Sequence, residues 1–230
     1  FFTNKLKKYD LKYLTKMQRS KIPINPTIFV KGSVNVPKLL AQISSYKWKQ
    51  FIVKPIGGCE GHGCGFFTTK DMVGDPVKLV DYFIEHSEYY EEFLVQRLTE
   101  GFKKYGEVKS FWVGGEYSYA IVTKDVPYGD SIVKPLTDKK ILDKCLDLGS
   151  KVHKAIPKLE FNGKKTMPVM SRIDMVCCLD NKPLSSYDYY LNEIEEGGLA
   201  GSYTDFKQIT FPYVQVMADA YVRKARELLE

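Results

Sequence analysis

Two spacings of apolar residues alternate along this chain. Residues 27–30 (T-I-F-V), 50–55 (Q-F-I-V-K-P), 66–69 (F-F-T-T) and 92–98 (E-F-L-V-Q-R-L) are short runs of β-branched and aromatic residues, which predict strands. Between them, residues 37–45 and 76–86 repeat apolar positions every three to four residues and predict helices. The resulting order is β-α-β-β-α-β, ending near Val95.

Beyond it, E-V-K-S-F-W-V-G-G-E-Y-S-Y-A-I-V-T-K (residues 107–124) predicts a hairpin turning at Gly114-Gly115. A helix is expected over 137–156, where Ile141, Leu142, Cys145, Leu148 and Val152 recur at helical spacing, and another over 212–229. Two more strands lie within S-R-I-D-M-V-C-C-L-D-N-K-P-L-S-S-Y-D-Y-Y-L-N-E-I-E-E-G-G (171–198), joined by a turn around Asn181-Lys182-Pro183. At the other end, residues 10–20 read as a helix with Asp10 as N-cap, and a proline-containing linker follows at 21–27. The expected architecture is α+β, with antiparallel sheets in two lobes facing each other across a cleft. Its segments are 1–26 (helix and linker), 27–95 (smaller lobe) and 96–230 (larger lobe).

Composition narrows the class. The chain has 230 residues, 44% hydrophobic and 13% aromatic, enough for two cores and too much for a disordered chain. Thirty-four basic against 28 acidic residues leave a net +6, which suits an anionic ligand. The basic residues are scattered rather than gathered into a stripe, so nucleic acid is not the expected partner. Cys59, Cys64, Cys145, Cys177 and Cys178 form no zinc spacing. Cys177 and Cys178 are neighbours on a strand and face opposite ways, which fits a reducing cytoplasm. No apolar run approaches a membrane span. The opening F-F-T-N-K lacks an initiator Met, as expected of a chain beginning partway into a longer protein.

The chemistry concentrates in three places. Lys54 ends an apolar strand, which delivers its ammonium to a fixed point. The turn G-G-C-E-G-H-G-C-G (57–65) carries glycines that let backbone N–H groups approach an anion. The two strands within 171–198 bear acids among apolar neighbours: Asp174 on one, Glu193 and Glu195 on the other. At a period of two, Arg172 and Asp174 share a face, as do Leu191, Glu193 and Glu195. If the strands pair, the three carboxylates converge, and they must then protonate or meet cations. Oxygen ligands of this kind suit Mg²⁺ or Mn²⁺. His62 reads as an exposed loop residue and His153 as a structural one.

Taken in order, Lys12, Lys54, the glycine-rich hairpin, V-Q-R-L (95–98), R-I-D (172–174) and N-E-I-E (192–195) resemble the ATP-grasp superfamily. The likeness is to its carboxylate–amine ligases, such as glutathione synthetase and the ribosomal-protein glutamate ligases. It implies ATP and Mg²⁺ (or Mn²⁺) as cofactors. It further implies that Lys12 and Lys54 contact phosphates and that the hairpin with Gly58, Gly61 and Gly63 covers them. Gln96 would meet adenine through its side chain, Arg97 and Leu98 through backbone groups. Glu107, or alternatively Glu100, would hold ribose. Lys109 and Lys124 stand where such ligases often have Arg for phosphate or acyl phosphate. Arg172 would stabilise the transferring phosphoryl group, while Asp174, Glu193 and Glu195 would bind metal, Glu195 replacing the family's usual Asn.

The activity so implied is formation of an amide or peptide bond through an acyl phosphate, from a small carboxylate and an amine. Two alternatives keep the fold. One is a small-molecule kinase, for which Lys103, Lys104, Lys134, Lys139 and Lys140 supply charge; the other is a synapsin-like ATP-binding protein without turnover. The acceptor site is expected to be built from these residues, or to be completed by a second subunit of a homo-oligomer, by a partner or by an N-terminal domain.

Overall fold

The computed structural model describes Met17 and residues 21–57, 62–124, 132–156, 158–161, 163–177, 189–196 and 213–229. The expected helix over 10–20 lies outside these residues except for helical Met17, as does the turn around Asn181. The described residues divide into two compact units, one covering 24–99 and the other joining Met17 and 21–23 to the residues from 100 onward.

The first unit runs β1 (Thr27–Lys31), α1 (Val36–Ser45), β2 (Gln50–Pro55), β3 (Gly65–Thr68), α2 (Thr69–Gly74), α3 (Val77–Ser87) and β4 (Glu92–Arg97). Its sheet has the order β1-β4-β2-β3, with every pairing antiparallel. Helix α1 begins where Asn35 accepts a hydrogen bond from the Lys38 N–H at 3.0 Å, with Pro37 in the first turn. One face of the sheet carries the core: Phe51, Val53, Phe93 and Val95 pack with Leu39, Leu40 and Ile43 of α1 and Leu79, Tyr82 and Phe83 of α3.

The second unit runs α4 (Glu100–Tyr105), β5 (Glu107–Val113), β6 (Glu116–Lys124), β7 (Ile132–Pro135), α5 (Lys139–Ala155), β8 (Leu159–Phe161), β9 (Lys164–Thr166), β10 (Met170–Cys177), β11 (Tyr189–Glu196) and α6 (Tyr213–Leu229). Five of its strands form an antiparallel sheet ordered β11-β10-β5-β6-β7, while β8 and β9 pair separately. The β5–β6 hairpin turns at Gly114-Gly115 as the sequence predicts. Asp138 caps α5 by accepting from the Ile141 N–H at 3.1 Å, and the helix buries Ile141, Cys145, Leu148 and Val152. Among the described residues, no helix is long and apolar enough to cross a membrane.

Candidate functional site

In the first unit, alternation sets Lys54. Because Phe51 and Val53 face the core, Ile52 and Lys54 point to the opposite side of the sheet. By the same rule Phe93 and Val95 turn Leu94 and Gln96 that way, and the register pairs Lys54 with Leu94 and Ile52 with Gln96. Lys54 and Gln96 are thus diagonal neighbours on the face away from the core, with the lysine partly exposed. Gln96 is 1% exposed; its Nε2 donates to Thr27 Oγ1 at 3.0 Å, and its Oε1 is buried with no hydrogen-bond partner among the described residues. A buried acceptor left open costs on the order of 1–3 kcal/mol, so a donor arriving there is favoured. The two residues after it, Arg97 and Leu98, are held through their backbone. Their N–H groups are already engaged, Arg97 with the Pro26 carbonyl at 2.9 Å and Leu98 with that of Gln50 at 3.0 Å.

Lys12, Gly58 and Gly61 lie outside the described residues. Gly63 lies within them, at φ +73°, and a Cβ there would stand 3.0 Å from the Pro55 ring and 3.1 Å from that of His86. At Gly65 a Cβ would meet the rings of Phe67 and Tyr82 at 2.6 and 2.8 Å. These two glycines are therefore required by packing of the hairpin's returning limb, a reason the sequence reading did not give. His62 is exposed, as expected.

In the second unit, a charged cluster lies across β5, β10 and β11. The register sets Lys109 and Glu193 opposite Asp174 on either side, and Glu195 opposite Arg172. The Asp174 carboxylate is fully buried and accepts from Arg172 Nε at 2.8 Å, Arg172 Nη2 at 2.9 Å and Lys109 Nζ at 2.7 Å. Lys109 also donates to Glu107 at 2.5 Å, whose other oxygen accepts from Asn192 Nδ2 at 2.6 Å. Arg172 lies 3.6 Å from Glu195. Burial alone would raise the Asp174 pKa, but Lys109 and then Arg172 hold it below its ordinary value. Burial likewise opposes the charge of Lys109, yet Asp174 and Glu107 raise its pKa above the ordinary range. The four buried ions sustain one another.

One feature of β11 departs from the predicted alternation. Asp174 pairs with Glu193 but Met175 pairs with Leu191, so Asn192 is an extra residue at a β-bulge. Leu191 consequently shares the face of Met175 rather than that of Glu193 and Glu195. The bulge also turns Asn192 inward to Glu107, a role the sequence reading did not assign.

Glu193 is exposed and Glu195 partly so. Both lie on the face of Asp174, whose two oxygens accept from Arg172 and Lys109. Among the described residues, no group of three or more His, Cys, Asp or Glu side chains is gathered to hold a metal. Glu107, expected at ribose, is turned into the ion-pair cluster, and so is Lys109, expected at phosphate. Lys124 donates to the Lys104 carbonyl at 2.9 Å, in the last turn of α4.

Behind the cluster, the opposite face of the sheet carries a chain of hydrogen bonds and a ring stack. Trp112 Nε1 donates to Ser110 Oγ at 3.2 Å, and Ser110 in turn donates to the carbonyl of Ile173, between Arg172 and Asp174. The His153 ring stacks on Trp112 at 5.0 Å, with Nδ1 3.3 Å from Ser171 Oγ. Burial lowers the His153 pKa, in keeping with the structural role expected of it.

No family model matches this sequence, and no curated protein matches it. Solved structures do. The D-cycloserine synthetase DcsG aligns over 94% of this chain and 69% of its own, at 16% identity and a TM-score of 0.68. The D-alanine–D-alanine ligase of Bacillus anthracis, solved with ATP, aligns over 95% and 67%, at 14% identity and a TM-score of 0.65. The ATP-grasp ligase PsnB, solved with a minimal precursor, aligns over 92% and 57%, at 12% identity and a TM-score of 0.60. The chain thus spans from just over half to about two thirds of these proteins. At such identities the likeness is one of architecture, and it extends through both sheets: this chain has the ATP-grasp fold.

Proposed function

We propose that this protein is an ATP-dependent ligase that joins a small carboxylate to an amine. The observation that carries this reading is the match, over more than nine-tenths of the chain, to ligases of this fold, one of them solved with ATP. The carboxylate oxygen attacks the γ-phosphorus, the bond to the β-phosphate oxygen breaks, and ADP leaves. The amine then attacks the acyl carbon, inorganic phosphate departs, and the nitrogen loses its proton. Neither step needs a side-chain nucleophile, so the work of the protein is positioning and charge stabilisation.

In this reading Lys54 and Lys12 bind phosphate oxygens, and the open Gln96 Oε1 accepts from the exocyclic amine of adenine. Arg172, held in place by Asp174, presents its guanidinium to the transferring phosphoryl group. A divalent cation arriving with the triphosphate would neutralise phosphate charge, and Glu193 and Glu195 would hold it. The test is a pooled screen of amino acids and small carboxylates, measuring ADP and product mass together. ADP with a condensation product supports the ligase. ADP with a phosphorylated acceptor would make the protein a kinase, and nucleotide binding without ADP would make it a binding protein; either result contradicts the proposal.

A further inference from the structure

We propose that Asp174 is a positioning residue for Arg172, its charge met by Lys109 and Arg172 rather than by a metal ion. This deepens the ligase reading and rests on it. Asp174 takes the guanidinium across both carboxylate oxygens, Nε on Oδ1 and Nη2 on Oδ2, which fixes the plane of the arginine head. Lys109 closes the arrangement by bridging Oδ2 to Glu107, and Asn192 occupies the other Glu107 oxygen. Glu107 and Asp174 thus meet Lys109 and Arg172, all four at 7% exposure or less, and Arg172 also faces Glu195 at 3.6 Å. A divalent ion placed on Asp174 would have to displace Lys109 or Arg172 from a buried carboxylate whose two oxygens both accept from them. On the same face Glu193 is exposed, and Glu195, partly exposed, lies 3.6 Å from Arg172.

The pairing is tested first in protein free of metal and nucleotide. As a positioning residue paired with two cations, its replacement in Asp174→Asn leaves buried charge uncompensated, and Tm in EDTA falls by on the order of 10 °C. A Tm left unchanged or raised by Asp174→Asn would mean that the pairing with Lys109 and Arg172 contributes nothing, and overturns the proposal. Kinetics add a readout that structure alone would not move. Asp174→Asn is expected to lower kcat with an unchanged magnesium midpoint, and the double variant with Arg172→Lys to be no slower than Arg172→Lys alone. A raised magnesium midpoint in Asp174→Asn, or additive losses in the double variant, would refute it.

Should Asp174→Asn fail to fold, Glu193→Gln with Glu195→Gln alters side chains that are exposed or partly exposed and leaves Asp174 intact. Electron paramagnetic resonance of Mn²⁺ with a non-hydrolysable ATP analogue then counts the bound ions. Loss of protein-held Mn²⁺ supports the proposal, and retention by an intact Asp174 contradicts it. The EDTA melting experiment requires no turnover, so failure of the ligase reading leaves it interpretable.

Discussion

The hydroxyl of Tyr82 donates to the carbonyl of Gly63 at 2.6 Å, tying helix α3 to the returning limb of the glycine-rich hairpin. The same ring stacks on His86 at 4.3 Å, and a Cβ at Gly65 would collide with it. Tyr82→Phe keeps the ring and removes this bond, worth about 1 kcal/mol. The expected outcome is a KM for ATP raised several-fold, with a Tm loss of only about 2–4 °C. Steady-state kinetics check it; an unchanged KM would mean that the limb holds its place without that bond.

Lys54 points away from the core and is partly exposed, so Lys54→Ala should leave the melting curve intact. Losing a charge-assisted contact to phosphate should lower kcat/KM for ATP by about 100-fold. Turnover equal to that of the unaltered protein would remove Lys54 from the site.

The pH dependence of stability follows from the Asp174–Lys109 pair. Asp174 is depressed below its ordinary 3.8, so its contribution is present above that pH and is lost as pH falls through the folded value. Lys109 is raised above its ordinary 10.5, so its contribution is full below that pH and is lost only above it. Between these limits the pair adds no slope. Lys109→Met removes the largest influence depressing the Asp174 pKa, and the acid limb of the stability profile should move to higher pH. Denaturant titrations from strongly acid to neutral pH measure the shift, and an unmoved limb would argue against the pairing.

A Cβ at Gly101 would stand 2.1 Å from the Cys177 carbonyl oxygen, so α4 meets the end of β10 at backbone distance. Gly101→Ala must displace one or the other. A loss of about 1–3 kcal/mol is expected from such overpacking, read as a lower Tm. A neutral substitution would mean that α4 sits further from β10 than described.

How much could be read in advance depended on element length and on local charge spacing. The helix at Lys139–Ala155 spans enough turns for its apolar face to recur, and the β5–β6 hairpin announces its turn with paired glycines. Helices α2 and α4 have six residues each and β7 has four, too short to display a period. The bulge at Asn192 leaves no mark in an alternating pattern, because pairing with β10 decides it, and so Leu191 was expected on the wrong face. Glu107 and Lys109, two residues apart on a strand, share a face, a spacing that permits their pair although the sequence reading sent them to ribose and phosphate. Their joint contact with Asp174 and Asn192 requires the strand order β11-β10-β5, which no local pattern carries.

If ATP activates the carboxylate by phosphorylating it, one carboxylate oxygen must end in inorganic phosphate. With an acceptor carboxylate carrying ¹⁸O, turnover in the presence of the amine should transfer one labelled oxygen to inorganic phosphate, seen by mass spectrometry. Phosphate released without label, or ADP formed with the label confined to an unchanged carboxylate, would contradict the account.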